Sequence, residues 1–169
     1  MELQEVLRSR YSVRAYKPDE VERDKLLEIL EAARLAPTAA NRQAFQLIVI
    51  RTAGREEALR RIYNKDWFVQ APLVIAVCGL REESWVRRDG HNYVDVDAAI
   101  VMDHLILRAA DSGLGTCWIA AFDPAAARAE LGLPRGVEAI AFTPLGYPAD
   151  EPGPKKRKPL SELVRSERW

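Results

Sequence analysis

Residues 94–112 constrain this chain more than any other segment. Placed on a helix at 100° per residue, Asp97, His104, Arg108 and Asp111 fall within about 60° of one another. Ala98 to Met102 and Leu105 to Leu107 are apolar. A helix with so narrow a polar stripe is covered around most of its circumference. The whole chain has 169 residues, which suits one domain burying about 70% of the surface its unfolded chain exposes. In a domain of that size such a helix either runs through the core or lies in a subunit interface.

The remaining elements alternate around it. Leu3, Val6 and Leu7 share one face of a short helix over 2–9. A longer helix follows Pro18-Asp19, with Leu26, Leu27, Ile29, Leu30, Ala33 and Leu35 as its apolar side, and ends before Pro37. A polar loop runs from Ala36 to Gln43. Phe45 to Ile50 reads as a strand with both faces covered, because Leu47 to Ile50 are consecutively apolar. Residues 55–63 read as helical. Leu73 to Cys78 is a second apolar strand, central in its sheet. Residues 81–92 are polar without a period and suit a mobile loop or lid. Gly113 and Gly115 end the long helix, and Thr116 to Ala121 is extended. Asp123-Pro124 is an N-cap with Pro at N1, opening a helix to Leu131 with Gly132 beyond it. Val137 to Leu145 is the last core strand. A Pro- and Lys-rich tail over 149–159 leads to LSELVRSERW, whose Leu160, Leu163, Val164 and Trp169 need a surface to cover them. An arm docking on a partner subunit supplies one. The pattern is α/β or α+β, without internal repeats.

Several function classes are excluded. The 25 basic and 25 acidic side chains cancel, unlike the basic excess of a generic nucleic-acid binder. Cys78 and Cys117 lie in separate apolar runs with no CxxC, so there is no cysteine zinc site. A disulfide between them is possible, but two buried free thiols in a reducing compartment are favoured. The N-terminal MELQEVLRSR has no signal-peptide apolar core, and no apolar run is long enough to span a bilayer. A soluble, cytoplasmic protein is expected. HExxH, GxSxG, a P-loop and an EF-hand loop are absent. Gly113-Leu114-Gly115 follows a helix and lacks a third glycine, so it reads as a helix C-cap and not a dinucleotide fingerprint. His91 and His104 read as solvated or structural. A chain without its own acid, base or metal takes its chemistry from a cofactor or is no enzyme.

One cluster suits an anionic cofactor. Arg10, Ser12 and Arg14 alternate, so an extended backbone points them the same way. Two guanidinium forks and a hydroxyl on one face can clamp a phosphate. Lys155, Lys156, Arg157 and Lys158 form a second cationic group. A solvated edge strand and a solubilising tail are the competing readings.

Four ordered segments carry a resemblance. Arg10-Tyr11-Ser12-Val13-Arg14, after a short helix, resembles the RxSxR/K opening of the nitroreductase family of FMN-dependent oxidoreductases. Ala36-Pro37-Thr38-Ala39-Ala40-Asn41-Arg42-Gln43-Ala44-Phe45 is similar to that family's AP(S/T)xxNxQPW signature, with Ala44 and Phe45 replacing Pro and Trp. Gly113-Leu114-Gly115-Thr116-Cys117-Trp118-Ile119 is close to its GLGTCWI segment. Pro144-Leu145-Gly146-Tyr147-Pro148, followed by Lys155, Arg157 and Pro159-Leu160, is the fourth. Together they cover almost the whole chain.

The resemblance implies an α+β fold, a three-layer α/β/α sandwich with a mostly antiparallel central sheet, forming an entwined homodimer with FMN at the interface. Residues 1–159 would be one FMN-binding domain and 160–169 an arm on the partner subunit. By position, Arg10, Tyr11 (through its backbone), Ser12 and Arg14 would hold the phosphate, ribityl and pyrimidine side of FMN. Lys155 and Arg157 would complete the phosphate cage. Pro37, Thr38, Ala39 and Asn41 match loop positions that contact the flavin from the second subunit. Ala120 and Ala121 match positions whose amides face the ring; many members have Gly at the first, and alanine keeps the N–H. Asn64 falls where some members place an asparagine on the pyrimidine edge, although Trp67 stands where those members carry lysine. Trp85 would stack on a planar substrate or make dimer contacts. The implied activity is hydride transfer from NADH or NADPH through flavin N5 to a nitroaromatic, quinone or similar acceptor by ping-pong turnover, without a catalytic side chain. Reductive dehalogenation, flavin breakdown and a non-enzymatic FMN-binding or interaction protein, whose basic tail docks an acidic partner, are the alternatives.

Overall fold

Eight consecutive small and apolar residues form β2 (Leu73–Leu80), and seven of them are buried because layers cover both faces of the strand. The structure is a computed structural model describing residues 1–169. Its elements run α1 (Leu3–Ser9), α2 (Arg23–Arg34), β1 (Phe45–Arg51), α3 (Glu56–Ile62), α4 (Asp66–Gln70), β2, α5 (Val94–Asp111), β3 (Gly115–Thr116), α6 (Pro124–Leu131), β4 (Val137–Gly146) and α7 (Leu160–Leu163). The strands form one antiparallel sheet in the order β1-β2-β4-β3.

Strand alternation divides the core in two. Leu73, Ile75 and Val77 pack with α2 and α5, whereas Val74, Ala76 and Cys78 pack with residues of α3, α4 and α6. The register shifts between Val77 and Cys78, which pair with Ala141 and Ala139. The bulge puts two consecutive β4 residues, Ile140 and Ala141, on the α5 side. The result is the three-layer sandwich expected.

Helix α5 runs through the core, the first of the two readings of its sequence. Val94, Ala98, Val101, Met102, Leu105, Ile106 and Ala109 are buried in the chain's own core, while Ile100 and Leu107 are half-buried and Val96 is exposed. Its polar stripe pairs with neighbouring elements. Asp97 accepts from the Ala39 N–H at 2.8 Å, Arg108 pairs with Glu28 and Asp111, and Asp111 holds the N-terminal ammonium at 2.6 Å. What this leaves outward is a stripe of Val96, Ile100 and Leu107 with the exposed Asp103 among them.

Three expectations need correction. β1 is an edge strand, so Leu47 and Ile48 are only half-buried and Val49 is exposed. Leu27 and Leu35 are exposed, and α2 packs through Leu26, Ile29, Leu30 and Ala33. Residues 81–92 form a pinned turn: Val86 bridges Asn92, Arg87 pairs with Asp89, and the Asn92 amide donates to the Arg81 carbonyl. Local capping matches the sequence, since Asp123 accepts from the Ala125 and Ala126 N–H groups and Gly132 closes α6 in the left-handed region. Cys78 and Cys117 are buried free thiols. No helix is long and apolar enough to cross a membrane.

Candidate functional site

The extended segment after α1 is held between the two ends of the sheet's second half. Ser12 bridges Thr116 in parallel, and the Val13 N–H donates to the Thr116 carbonyl at 2.9 Å. This approach requires Gly115, because a Cβ there would lie 2.6 Å from a Val13 methyl. Downstream, Tyr16 bridges Pro148 and the Ala149 N–H donates to Ala15. The exit from β4 therefore runs back along residues 10–16.

Asp150 fixes that return path. It accepts from the Arg14 N–H at 2.8 Å and from the Tyr11 hydroxyl through both its carbonyl (2.7 Å) and its carboxylate (3.2 Å). Burial, with Asp150 adding to it, pushes the Tyr11 phenol up to about 12. Five residues on, Lys155 donates to the Leu7 carbonyl at 3.0 Å. Its ammonium titrates below the ordinary lysine value through desolvation and then through the nearby Arg10 and Arg157 charges. The two ends of the chain thus place three cations together, and none of the three has a carboxylate partner. Like charges gathered without a counter-ion are unfavourable alone and favourable around an anion.

Ser12 and Arg14 lie beside the cluster on exposed backbone. Burial raises the pKa of the Cys117 thiol, against the pull of Arg14 and Ser12. The Arg14 guanidinium sits 6.0 Å from the Trp67 ring centroid, and Trp67 meets Tyr63 edge-on. Asn64 is exposed between those aromatics in sequence. The Asp123 N–H donates to the Ile62 carbonyl, bringing the 119–123 segment to the end of α3. Ala120 and Ala121 are exposed there, and their N–H groups donate to no backbone carbonyl.

The other predicted loop lies elsewhere. Pro37 is exposed, and Thr38 accepts from the Gln43 N–H through its hydroxyl at 3.0 Å. Ala40, Asn41 and Gln43 all have φ near +51°, a region costing roughly 1–3 kcal/mol per strained non-glycine residue and tolerated best by Asn. The Ala39–Asp97 hydrogen bond anchors this loop. Asp97 is 2% exposed, and its second carboxylate oxygen has no partner. Asp97 stands near the start of α5 and the cationic clamp adjoins its end, a separation of roughly 21 Å over 14 helical residues. One chain therefore does not bring Thr38, Ala39 and Asn41 to Arg10–Arg14. Trp85 also lies beyond the far end of β2, packed edge-on against Tyr93 at 4.9 Å.

Sequence reasoning missed Asp150, Asp97, Cys117 and Trp67 as parts of this arrangement. Cys117 lay inside the GLGTCWI segment, and Asp97 lay on the polar stripe of a mostly apolar helix. Asp150 had no sequence signal, since its partners are 136 and 139 positions away.

Known proteins resemble this chain throughout. A sequence model of the nitroreductase family matches residues 7–66 and 55–147. The crystal structure of a nitroreductase family protein from Clostridium difficile 630 has a TM-score of 0.90 at 38% identity, covering 100% of both chains. An NADH dehydrogenase of Thermus thermophilus is 30% identical over 92% of this chain and 91% of its own. An FMN-dependent nitroreductase of Clostridium difficile R20291 has a TM-score of 0.78 at 28% identity, covering 97% of this chain and 98% of that one.

Proposed function

The chain belongs to the nitroreductase family, and from that premise we propose that it is an FMN-dependent NAD(P)H oxidoreductase acting as a homodimer. The observation that carries the reading is the unpaired cluster of Arg10, Lys155 and Arg157. Guanidinium forks and an ammonium suit a phosphate monoester, whose charge relieves their mutual repulsion. Ser12 and Arg14 extend the same strand towards the ring, with Asn64 on the pyrimidine side. The free amides of Ala120 and Ala121 are suited to accepting groups on the flavin edge. Bound FMN supplies two-electron transfer from NADH or NADPH to a planar acceptor such as a nitroaromatic or quinone. Arg14 stabilises the negative charge that reduction leaves on the pyrimidine side, so no side-chain acid or base is required.

The homodimer follows from the separation within one chain. Pro37, Thr38, Ala39 and Asn41 are too far from their own clamp to share its ligand, and a second copy places them on it. The outward stripe of α5 offers the contact surface. The arm 160–169, exposed along its whole length, covers Leu160, Leu163, Val164 and Trp169 on the partner. Trp85, at the loop's end of the sheet, then faces the composite site or the dimer contact.

Purified protein tests the proposal directly. It should carry, or take up, yellow FMN that NADH or NADPH bleaches and an acceptor restores. A colourless protein that never binds added FMN refutes it, and colour that neither nucleotide bleaches refutes the oxidoreductase assignment.

A further inference from the structure

We propose that Asp150 is a positioning residue that closes the C-terminal cations onto Arg10 and thereby sets the selectivity of the site for a phosphorylated over an unphosphorylated flavin. The inference rests on the FMN reading above. Every residue from Glu151 to Trp169 is exposed, so the tail has no packing of its own to direct it. Its course is set by the Tyr16–Pro148 bridge, the Ala149 N–H to Ala15 bond and then the three bonds accepted by Asp150. No hydrogen bond holds residues 151–154, the sequence Glu-Pro-Gly-Pro, before Lys155 reaches the Leu7 carbonyl.

Asp150 is therefore the last fixed point before the two cations. A five-residue span reaches at most about 17 Å, and Pro152 and Pro154 restrict its backbone further. Holding the start of the span keeps Lys155 and Arg157 at high effective concentration beside Arg10, and releasing it dilutes them. Both carboxylate oxygens are already engaged by donors of the N-terminal strand. The acid thus acts through the cations it places, without contacting the ligand.

FMN and riboflavin share the ring and ribityl chain and differ by the phosphate, so their binding separates cage placement from general damage. Binding of each to the apoprotein of the full chain is read by quenching of flavin fluorescence. Asp150→Ala should weaken FMN binding roughly ten-fold or more and leave riboflavin binding unchanged. Tyr11→Phe keeps the Arg14 contact, so it should lower FMN affinity by about three-fold and leave riboflavin binding unchanged, and it carries the test if Asp150→Ala does not fold. Parallel loss of both flavins, tracking a fall in melting temperature, overturns the proposal by making Asp150 a structural residue only. Retention of the full FMN preference in both variants overturns the latch while leaving the FMN reading intact. A wild-type protein that binds the two flavins equally removes the phosphate cage, and the proposal with it.

Discussion

Replacing Arg157 with Ala should move the stability of the apoprotein and its affinity for FMN in opposite directions. In the free chain the exposed guanidinium makes one hydrogen bond, to the Lys156 carbonyl at 2.8 Å, and no ion pair. Its removal costs no buried contact, so apoprotein stability should stay within about 0.5 kcal/mol. The sign should be a small gain, because Arg157 is one of two charges holding Lys155 below its ordinary pKa. A charge-assisted contact with phosphate contributes about 1.5–3 kcal/mol, so FMN affinity should fall roughly ten- to a hundredfold. Thermal unfolding reads both quantities in one experiment. With free FMN at a hundred times the wild-type Kd, binding adds about 2.7 kcal/mol of stability, and a thirtyfold weaker site leaves about 0.9 kcal/mol. Arg157→Lys should fall between, retaining charge without the fork. An unchanged FMN shift in the alanine variant, or an apoprotein destabilised as much as the holoprotein, refutes the phosphate assignment.

Other perturbations test the supports around the site. Asp97→Ala removes the acceptor of the Ala39 N–H and should destabilise the protein by about 1–3 kcal/mol in denaturant unfolding, with Asp97→Asn recovering part because it keeps an acceptor oxygen. Gly115→Ala sets a Cβ 2.6 Å from Val13; overpacking of this kind costs about 1–3 kcal/mol, and FMN retention should fall with it as the Arg10–Arg14 strand is displaced. The Tyr11 phenol is raised to about 12, above the ordinary tyrosine value near 10. The fold favours its neutral form, so its contribution to stability is complete below about pH 10 and is lost as pH rises through the raised value. The phenolate absorbance that Tyr11→Phe removes should therefore appear later than that of ordinary tyrosines, and its appearance near pH 10 contradicts the Asp150 contact.

Elements specified by local chemistry were readable from the sequence, and those specified by sheet order were not. The Asp123-Pro124 start and Gly132 end of α6 depend on a few adjacent residues, and both are found in place. The apolar run of β2 implied a central strand correctly. The similar run Leu47–Ile50 implied two covered faces for β1 and failed, because a strand's neighbours come from elsewhere in the chain. Leu27 and Leu35 failed for a related reason: α2 covers the sheet with a stripe too narrow to include every leucine on its apolar side. The polar residues of α5 show the reverse case. Their spacing was visible, but their pairing with Ala39, Glu28 and the N-terminus depended on helices and loops packing beside them.

The site depends on distant parts of the chain to a greater degree. Residues 10–14 suited an anion and 155–158 formed a second cationic group, but solvated charge was the competing reading of each, and the equal totals of 25 and 25 concealed any local imbalance. The fold pairs many arginines elsewhere, as in Arg34–Glu31, Arg61–Glu130 and Arg81–Glu138. It leaves Arg10, Lys155 and Arg157 without such partners and brings them together by running the end of β4 along the N-terminal strand. A cation cluster in a neutral protein is therefore a product of topology: acids are paired elsewhere and at Asp150, and cations from both termini are left near one another. This is why the same substitution at Arg157 is expected to relieve the empty site and weaken the filled one.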